Sequence, residues 1–460
     1  MSLTAAFMVP HPPMIIPEIG KGSEKQIEDT IGAYEKTADE IERLRPDTII
    51  ISSPHSVMYS DYFHISPGKK ARGSFSRFGA DEVSFDEEYD IELRDRICEL
   101  AKLNDFPAGT LGERDASLDH GTMVPLWFVR KRFQEGKIIR IGLSGLSLSD
   151  HYKLGMIIKE AVEESGKNVV WIASGDLSHK LQDYGPYGFA EEGPVYDERI
   201  MDVMSRAAFN ELFDFDEAFL EKAAECGHRS FVMMAGGFDG IAVKAEKLSH
   251  EDVTGVGYGI CTFYPQGKDE TRHFLDAYEK RIVRELEEKE NRSDPYVKLA
   301  RKAVEYYVLH HKRLKEDDCE EELLKRKAGT FVSIHKFGRL RGCIGTIGPC
   351  EENVKEEIIS NAISACSRDP RFDPIRSDEL KYLDISVDVL GEIEDIDSKE
   401  MLDVKRYGVI VSCGNRRGLL LPDLDGVDSV DQQIEIAREK GNIGKNDPYT
   451  LQRFEVIRHY

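Results

Sequence analysis

Val169-Val170-Trp171-Ile172-Ala173-Ser174-Gly175-Asp176-Leu177-Ser178-His179 is an apolar run that stops abruptly in a polar cluster. Its first five residues are β-favouring or small and are bounded by Ser-Gly, which predicts a buried strand with Asp176, Ser178 and His179 just past its carboxyl end. In open α/β sheets, ligands bind outside the carboxyl ends of the strands. The arrangement recurs twice nearer the start: Leu3 to Pro10 runs into His11-Pro12-Pro13, and Thr48 to Ser53 runs into Pro54-His55-Ser56. Three apolar strands that each deliver a histidine at the end favour a shared site over three unrelated core histidines.

Between the first two of these strands, Ile27, Ile31, Tyr34, Ala38 and Ile41 recur at helical spacing until Pro46, which predicts a βαβ unit. Gly68 to Phe85 reads as a loop, Tyr89 to Leu103 as a helix, Ile138 to Leu143 as a strand and Asp150 to Ser165 as a helix. Beyond His179, Tyr184-Gly185-Pro186-Tyr187-Gly188 predicts a mobile loop, followed by helices at 194–208 and 215–224 and a last strand at 255–264. This places a first domain at 1–265. Residues 266–294 are strongly charged and are read as a charged linker, part of which could be an exposed helix. A second domain at 295–460 then opens with Pro295 in the first turn of a helix capped by Asp294. Its remaining elements are a strand at 329–335, a turn over Arg339 to Thr346, a helix from Asn353 to Cys366 and strands at 384–390, 408–412 and 418–421, an α+β pattern.

With 460 residues, 40% of them hydrophobic, the chain has material for two or three cores. A net charge of -23 argues against a nucleic-acid backbone or an anionic membrane as partner. There is no basic leader and no uninterrupted apolar stretch of about 18 residues, so the expected compartment is the cytoplasm. Eight cysteines are scattered without a CxxC pair, which suits reduced thiols.

Neutral imidazole is the commonest metal ligand, and His11 and His55, from adjacent strands of one βαβ unit, are the best pair to converge on a metal. Asp176 could orient His179 as a general acid/base, or could cap the following helix together with Ser178. His120, in Asp119-His120-Gly121-Thr122, could hydrogen-bond a substrate oxygen or simply start a helix.

His11-Pro-Pro, Ser-Pro-His55, Asp-His120-Gly-Thr, Ser-Gly-Asp-Leu-Ser-His179 and the His228 helix occur in the order found in class III extradiol ring-cleavage dioxygenases of the catalytic B-subunit type and in the related Memo proteins. The first domain therefore resembles an α/β metal-dependent domain of the extradiol dioxygenase/Memo type. The resemblance implies that His11 and His55 ligate a non-heme Fe(II), that His179 is the acid/base and that His120 contacts a phenolic or catechol-like small-molecule substrate. It also implies a third ligand, usually Glu, where this chain has His228. Cys226-Gly227 resembles the Cys-Gly of Memo proteins, whose thiolate is in the metal site. The third ligand thus stays open among His228, Cys226 and Glu225, and the metal among Fe(II), another divalent metal and copper. Two functions follow from the resemblance: an Fe(II)-dependent oxidoreductase of the dioxygenase kind, and a Memo-like metal-binding or redox accessory protein without ring cleavage.

In the second domain, Leu340-Arg341-Gly342-Cys343-Ile344-Gly345 and Asp369-Pro370-Arg371-Phe372 resemble the AMMECR family, implying a smaller α+β domain of that type. Gly342 and Gly345 permit a tight turn, and Arg339 and Arg341 place positive charge beside Cys343, which is either a reactive thiol or a packed one. The fusion resembles a system in which Memo and AMMECR proteins accompany a radical S-adenosylmethionine enzyme, which implies such a protein as partner. A homo-oligomer is among the assemblies open to the chain.

Overall fold

Six strands carry the first part of the chain: β1 (Leu3–Val9), β2 (Thr48–Ser53), β3 (Lys137–Gly142), β4 (Val169–Ser174), β5 (Ile241–Glu251) and β6 (Tyr258–Lys268). They form one sheet in the order β3-β2-β4-β1-β6-β5. The four strands from β3 to β1 are parallel; β6 runs antiparallel to β1, and β5 antiparallel to β6. The structure, a computed structural model, describes residues 3–114, 117–315, 321–424 and 426–460, so Cys319 lies outside the described residues. The chain divides into two units, Met1–Glu279 and Lys280–Tyr460.

The apolar runs of β1, β2 and β4 follow from burial on both faces of the sheet. Ala6, Met8, Ile50 and Trp171 point into one core, and Ala5, Phe7, Ile49, Ile51 and Ile172 into the other. Helices α1 (Glu28–Leu44) and α2 (His120–Arg132) contribute Tyr34, Ile41, Val124 and Phe128 to the second core. Helices α3 (Leu148–Ser165) and α4 (His228–Gly236) supply Ile157, Ile158, Phe231 and Met234 to the first.

Two segments of this unit differ from expectation. The presumed loop at Gly68 to Phe85 is most of an antiparallel ribbon, Lys70–Phe75 with Ala80–Glu88, joined through a turn at Ser76–Phe78 and Gly79, whose φ is 80°. Its Gly, Ser and Arg residues hid the strand alternation, because a two-stranded ribbon with one open face needs few apolar positions. β5 was also missed: it is an edge strand rich in Lys and Glu, as exposed edges are.

The charged stretch 266–294 holds the end of β6, a short turn at Glu270–Arg272 and most of α5 (Phe274–Arg292), within which the division between the units falls. Leu275, Tyr278, Ile282 and Leu286 recur at helical spacing, and Arg281 with Glu285 and Glu288 with Arg292 pair across one turn. The charge is a solvated helix face.

The second unit contains α6 (Pro295–His310), β7 (Thr330–Lys336), β8 (Arg339–Gly345), α7 (Val354–Ser367), β9 (Leu383–Leu390), β10 (Tyr407–Cys413), β11 (Arg416–Leu420), α8 (Val430–Lys440) and β12 (Thr450–His459). Its sheet runs β8-β7-β9-β12-β10-β11, with a short strand Glu394–Ile396 also on β12. The expected turn over Arg339 to Thr346 is instead the edge strand β8. The turn lies at Phe337-Gly338, where both residues have positive φ (50° and 77°), as a two-residue hairpin linker requires. Gly342 and Gly345 serve close approach: a Cβ would lie 2.2 Å from the Ala365 carbonyl oxygen on α7 at the first, and 2.2 Å from the Phe331 ring at the second.

Arg341, expected to bias Cys343, is engaged elsewhere: it pairs with buried Glu379 at 3.0 Å, as does Lys336. Burial pushes the Glu379 carboxyl up, but Arg341, the Arg376 backbone amide and Lys336 outweigh it and hold it at about 2. A depressed carboxyl contributes stability that is complete above its ordinary value near 4.5 and is lost as pH falls through about 2. Glu379→Gln is accordingly expected to cost about 1–2 kcal/mol at neutral pH and to flatten the acid limb of the unfolding curve, read from urea midpoints between neutral pH and strong acid.

Candidate metal centre

Strand ends β1, β4 and β2 lie side by side and level, with Val9 opposite Ser174 and Ser52 opposite Ala173. The residues that follow them are brought together. His11 is 1% exposed; its amide donates to Asp176 Oδ1 at 2.7 Å, and its Nδ1 is 2.9 Å from Ser174 Oγ. Because the Ser174 hydroxyl spends its only proton on the Gly121 carbonyl (2.6 Å), it can only accept from His11. His11 therefore carries its proton on Nδ1 and turns an unprotonated Nε2 into the site, the orientation a metal ligand needs.

That Nε2 lies 3.0 Å from His55 Nε2 and 3.7 Å from Cys226 Sγ. His11, His55 and Cys226 form a group whose donor atoms all lie within 4.8 Å of one another. Asp176, His179 and Cys226 form a second such group. Two imidazole nitrogens at 3.0 Å need a proton or a cation between them.

Small residues make this convergence possible. A Cβ on Gly175 would lie 2.1 Å from Gly227 Cα, so the end of β4 and the segment entering α4 touch through backbone. The Gly227 amide donates to the Asp176 carbonyl at 3.1 Å, and the Asp176 amide to Cys226 Sγ at 3.3 Å. Gly121 leaves room for Ser53 Oγ, which a Cβ there would approach to 2.4 Å. Asp119 caps α2 by accepting from the Thr122 amide at 3.0 Å and also holds Ser53 Oγ at 2.6 Å. His120, first in α2, is thereby set with its ring 4.0 Å from that of His55 and 5.3 Å from that of His11.

His179 donates from Nδ1 to the Ala224 carbonyl (2.6 Å), so its Nε2 is a free base, 3.9 Å from Asp176 Oδ2. Asp176 Oδ2 is equally 3.9 Å from His11 Nε2. Phe78 from the ribbon meets His120 edge-on at 5.6 Å, and Tyr187 meets His179 edge-on at 5.1 Å.

Burial keeps the imidazoles neutral. His11 is well below the ordinary value through burial and then the neighbouring His55, His120 and His179; burial lowers His120 to about 4 and also lowers His55 and His179. Burial raises Asp176 to about 7 against the His11 amide, and pushes the Cys226 thiol well up, with Asp176 and Glu225 adding to it. A cation among these donors would reverse the balance at Cys226, since a coordinating thiol is deprotonated.

Two candidate ligands are corrected. His228 is fully buried away from both donor groups: its Nε2 faces the Leu212 carbonyl at 3.0 Å, its Nδ1 faces Tyr196 Oη at 3.4 Å, and its ring packs 4.7 Å from Phe215. Both nitrogens are engaged, and burial lowers the ring to about 3. Glu225 Oε2 accepts the His228 amide at 2.6 Å, so it serves the helix start. Sequence reasoning missed Ser174, which sets the His11 tautomer, as well as Phe78 and Tyr187.

Residues 5–261 match the family described as the catalytic LigB subunit of aromatic ring-opening dioxygenase. The chain belongs to this family. Residues 297–459 match the AMMECR1 family, so a LigB-type domain is fused to an AMMECR1 domain. A protein of Clostridium acetobutylicum is 42% identical over 100% of this chain and 99% of its own length, and so shares the whole fusion. A Thermotoga maritima protein is 48% identical over 36% of this chain and 97% of its own. Among solved structures, an uncharacterised protein of Pyrococcus horikoshii is 30% identical, covering 35% of this chain and 88% of that one, with a TM-score of 0.33. No helix among the described residues is long and apolar enough to cross a membrane.

Proposed function

We propose that the LigB-type domain is a Memo-like metal-binding, redox-active protein whose metal is held by His11, His55 and Cys226. The observation that carries this reading is the thiol: Cys226 Sγ, 3.7 Å from His11 Nε2, joins the two imidazoles in one donor group, whereas His228 is turned away. Two neutral nitrogens and one thiolate suit iron or copper, and such a metal would supply one-electron chemistry there. The other residues have separable tasks. His179, with Nε2 free, takes or gives a proton at that atom; Asp176, buried and 3.9 Å away, holds the imidazolium that forms. His120, Phe78 and Tyr187 offer planar faces and edges that fit a small aromatic molecule.

A second reading, an Fe(II)-dependent dioxygenase cleaving a phenolic or catechol-like ring, draws on Asp176, whose Oδ2 is 3.9 Å from His11 Nε2 and would give two histidines and a carboxylate. Reconstitution of anaerobically purified protein with Co(II), Fe(II) or Cu(I) separates the two. On the first reading, Cys226→Ser removes the thiolate-to-cobalt charge-transfer band and weakens binding about tenfold, while His228→Ala keeps both. A band-free wild type whose iron survives Cys226→Ser, and which takes up O₂ with a catechol, would establish the second.

A further inference from the structure

The segment that carries His179 has no regular secondary structure: β4 ends at Ser174, and residues 175–180 belong to no helix or strand. Its backbone must find its hydrogen bonds elsewhere. Ser178, fully buried beside His179, has every polar group engaged. Its amide donates to Asp197 Oδ1 at 2.8 Å, and its carbonyl accepts the Gly257 amide at 2.8 Å. Its hydroxyl donates to the Ala223 carbonyl at 2.8 Å and accepts the Lys180 amide at 2.9 Å. His179 then donates from Nδ1 to the Ala224 carbonyl. Ala223 and Ala224 close the helix Glu217–Ala223, whose last carbonyls have no partner within the helix and are open to such donors.

Asp197 is the only side chain among these partners of Ser178; the others are backbone groups. It comes from the helix Glu192–Ser205, is 3% exposed, and places its second oxygen, Oδ2, 3.1 Å from His250 Nε2 on β5. Gly257 packs on the same carboxylate, since a Cβ there would lie 1.9 Å from Oδ2. His250 lines a surface cavity of about 410 Å³ together with Lys247 and Asp252. Asp176 Oδ2, by contrast, is 3.9 Å from His179 Nε2, beyond hydrogen-bond reach, so the ring is aimed from the Ala224 side.

We propose that Asp197 is a positioning residue for His179, fixing through the Ser178 amide the tautomer in which Nε2 is the free base. The proposal rests on the reading of His179 as the group that takes or gives a proton at that atom. With Asp197 in place, the Ser178 backbone is fixed and the next residue brings Nδ1 to the Ala224 carbonyl. Without it, the buried Ser178 amide has no acceptor, and the segment must turn to find one, which carries the imidazole away from Ala224. A ring freed from that carbonyl also takes up the Nε2–H form, in which Nε2 can donate but cannot accept. His250 belongs to the same device because it holds the other oxygen of the carboxylate.

Nitrogen-15 NMR of the full-length, metal-free chain labelled at histidine reads the tautomer directly at mildly alkaline pH, with His179→Gln to assign the signals. The unsubstituted protein is expected to show His179 as Nδ1–H alone, and Asp197→Ala to show a mixture with the Nε2–H form. Asp197→Asn keeps an oxygen for the Ser178 amide and should keep the single tautomer, a rescue that a general loss of packing would not give. His250→Ala, a change at a partly exposed residue, serves if Asp197→Ala does not fold and should shift the ring in the same direction. Thermal unfolding of each variant separates lost stability from lost orientation. A ring that stays Nδ1–H in the folded alanine variants, or one that shifts as far in Asp197→Asn as in Asp197→Ala, would overturn the proposal. The experiment needs neither metal nor substrate, so its result stands apart from the metal-content and turnover measurements that test the reading beneath it.

Discussion

Replacing His11 with alanine is expected to abolish stoichiometric metal binding, with an affinity loss of more than about a hundredfold. His11 Nε2 faces both His55 Nε2 and Cys226 Sγ, and its tautomer is dictated by Ser174, so no neighbour can substitute for it. The backbone amide that binds Asp176 is untouched by the change, which favours retention of the fold. His55→Ala should behave alike, whereas His179→Ala should spare binding and remove turnover. Metal content by elemental analysis, with circular dichroism as the check on folding, decides the matter. Full metal content in both the His11 and His55 variants would sink the site assignment.

Gly175→Ala should be a severely damaging conservative change at the site, at about 3 kcal/mol. Its Cβ would sit 2.1 Å from Gly227 Cα, and backbone on both sides leaves no flexible side chain to give way. The strand end and the helix entry would have to separate, carrying Cys226 away from His11, so thiol-dependent metal binding should fall with stability. Gly32 is the control: it lies within α1 with nothing within 4 Å of a Cβ, so Gly32→Ala should stabilise by about 0.5–1 kcal/mol. Urea unfolding of the three proteins measures both effects. Equal stability of Gly175→Ala and the unsubstituted protein would show that this contact does not hold the site together.

Much of this molecule was legible in its sequence, because strands buried on both faces must be apolar throughout and must stop where polar groups begin. That is why the ends of β1, β2 and β4, with His11, His55, Asp176 and His179, could be read directly, and why the order of these motifs matched the LigB family. The charged helix α5, the ribbon over 70–88 and the edge strand β5 were less legible, since solvated surfaces place weak demands on residue type. The choice among Cys226, His228 and Glu225 was beyond sequence. These residues lie within four positions of one another, and which one faces His11 depends on how the chain enters α4. Tertiary contact sets their placement: Gly175 against Gly227 brings the chain round so that Cys226 Sγ lies 3.7 Å from His11 Nε2, while the His228 ring faces the Leu212 carbonyl and Tyr196. In the same way, the sequence sets Arg339 and Arg341 just before Cys343, but the fold commits Arg341 to Glu379 and brings Arg371, held by Asp369, to the Cys343 carbonyl. Local pattern determines which groups reach the end of a strand; the packing of distant backbone determines which of them meet.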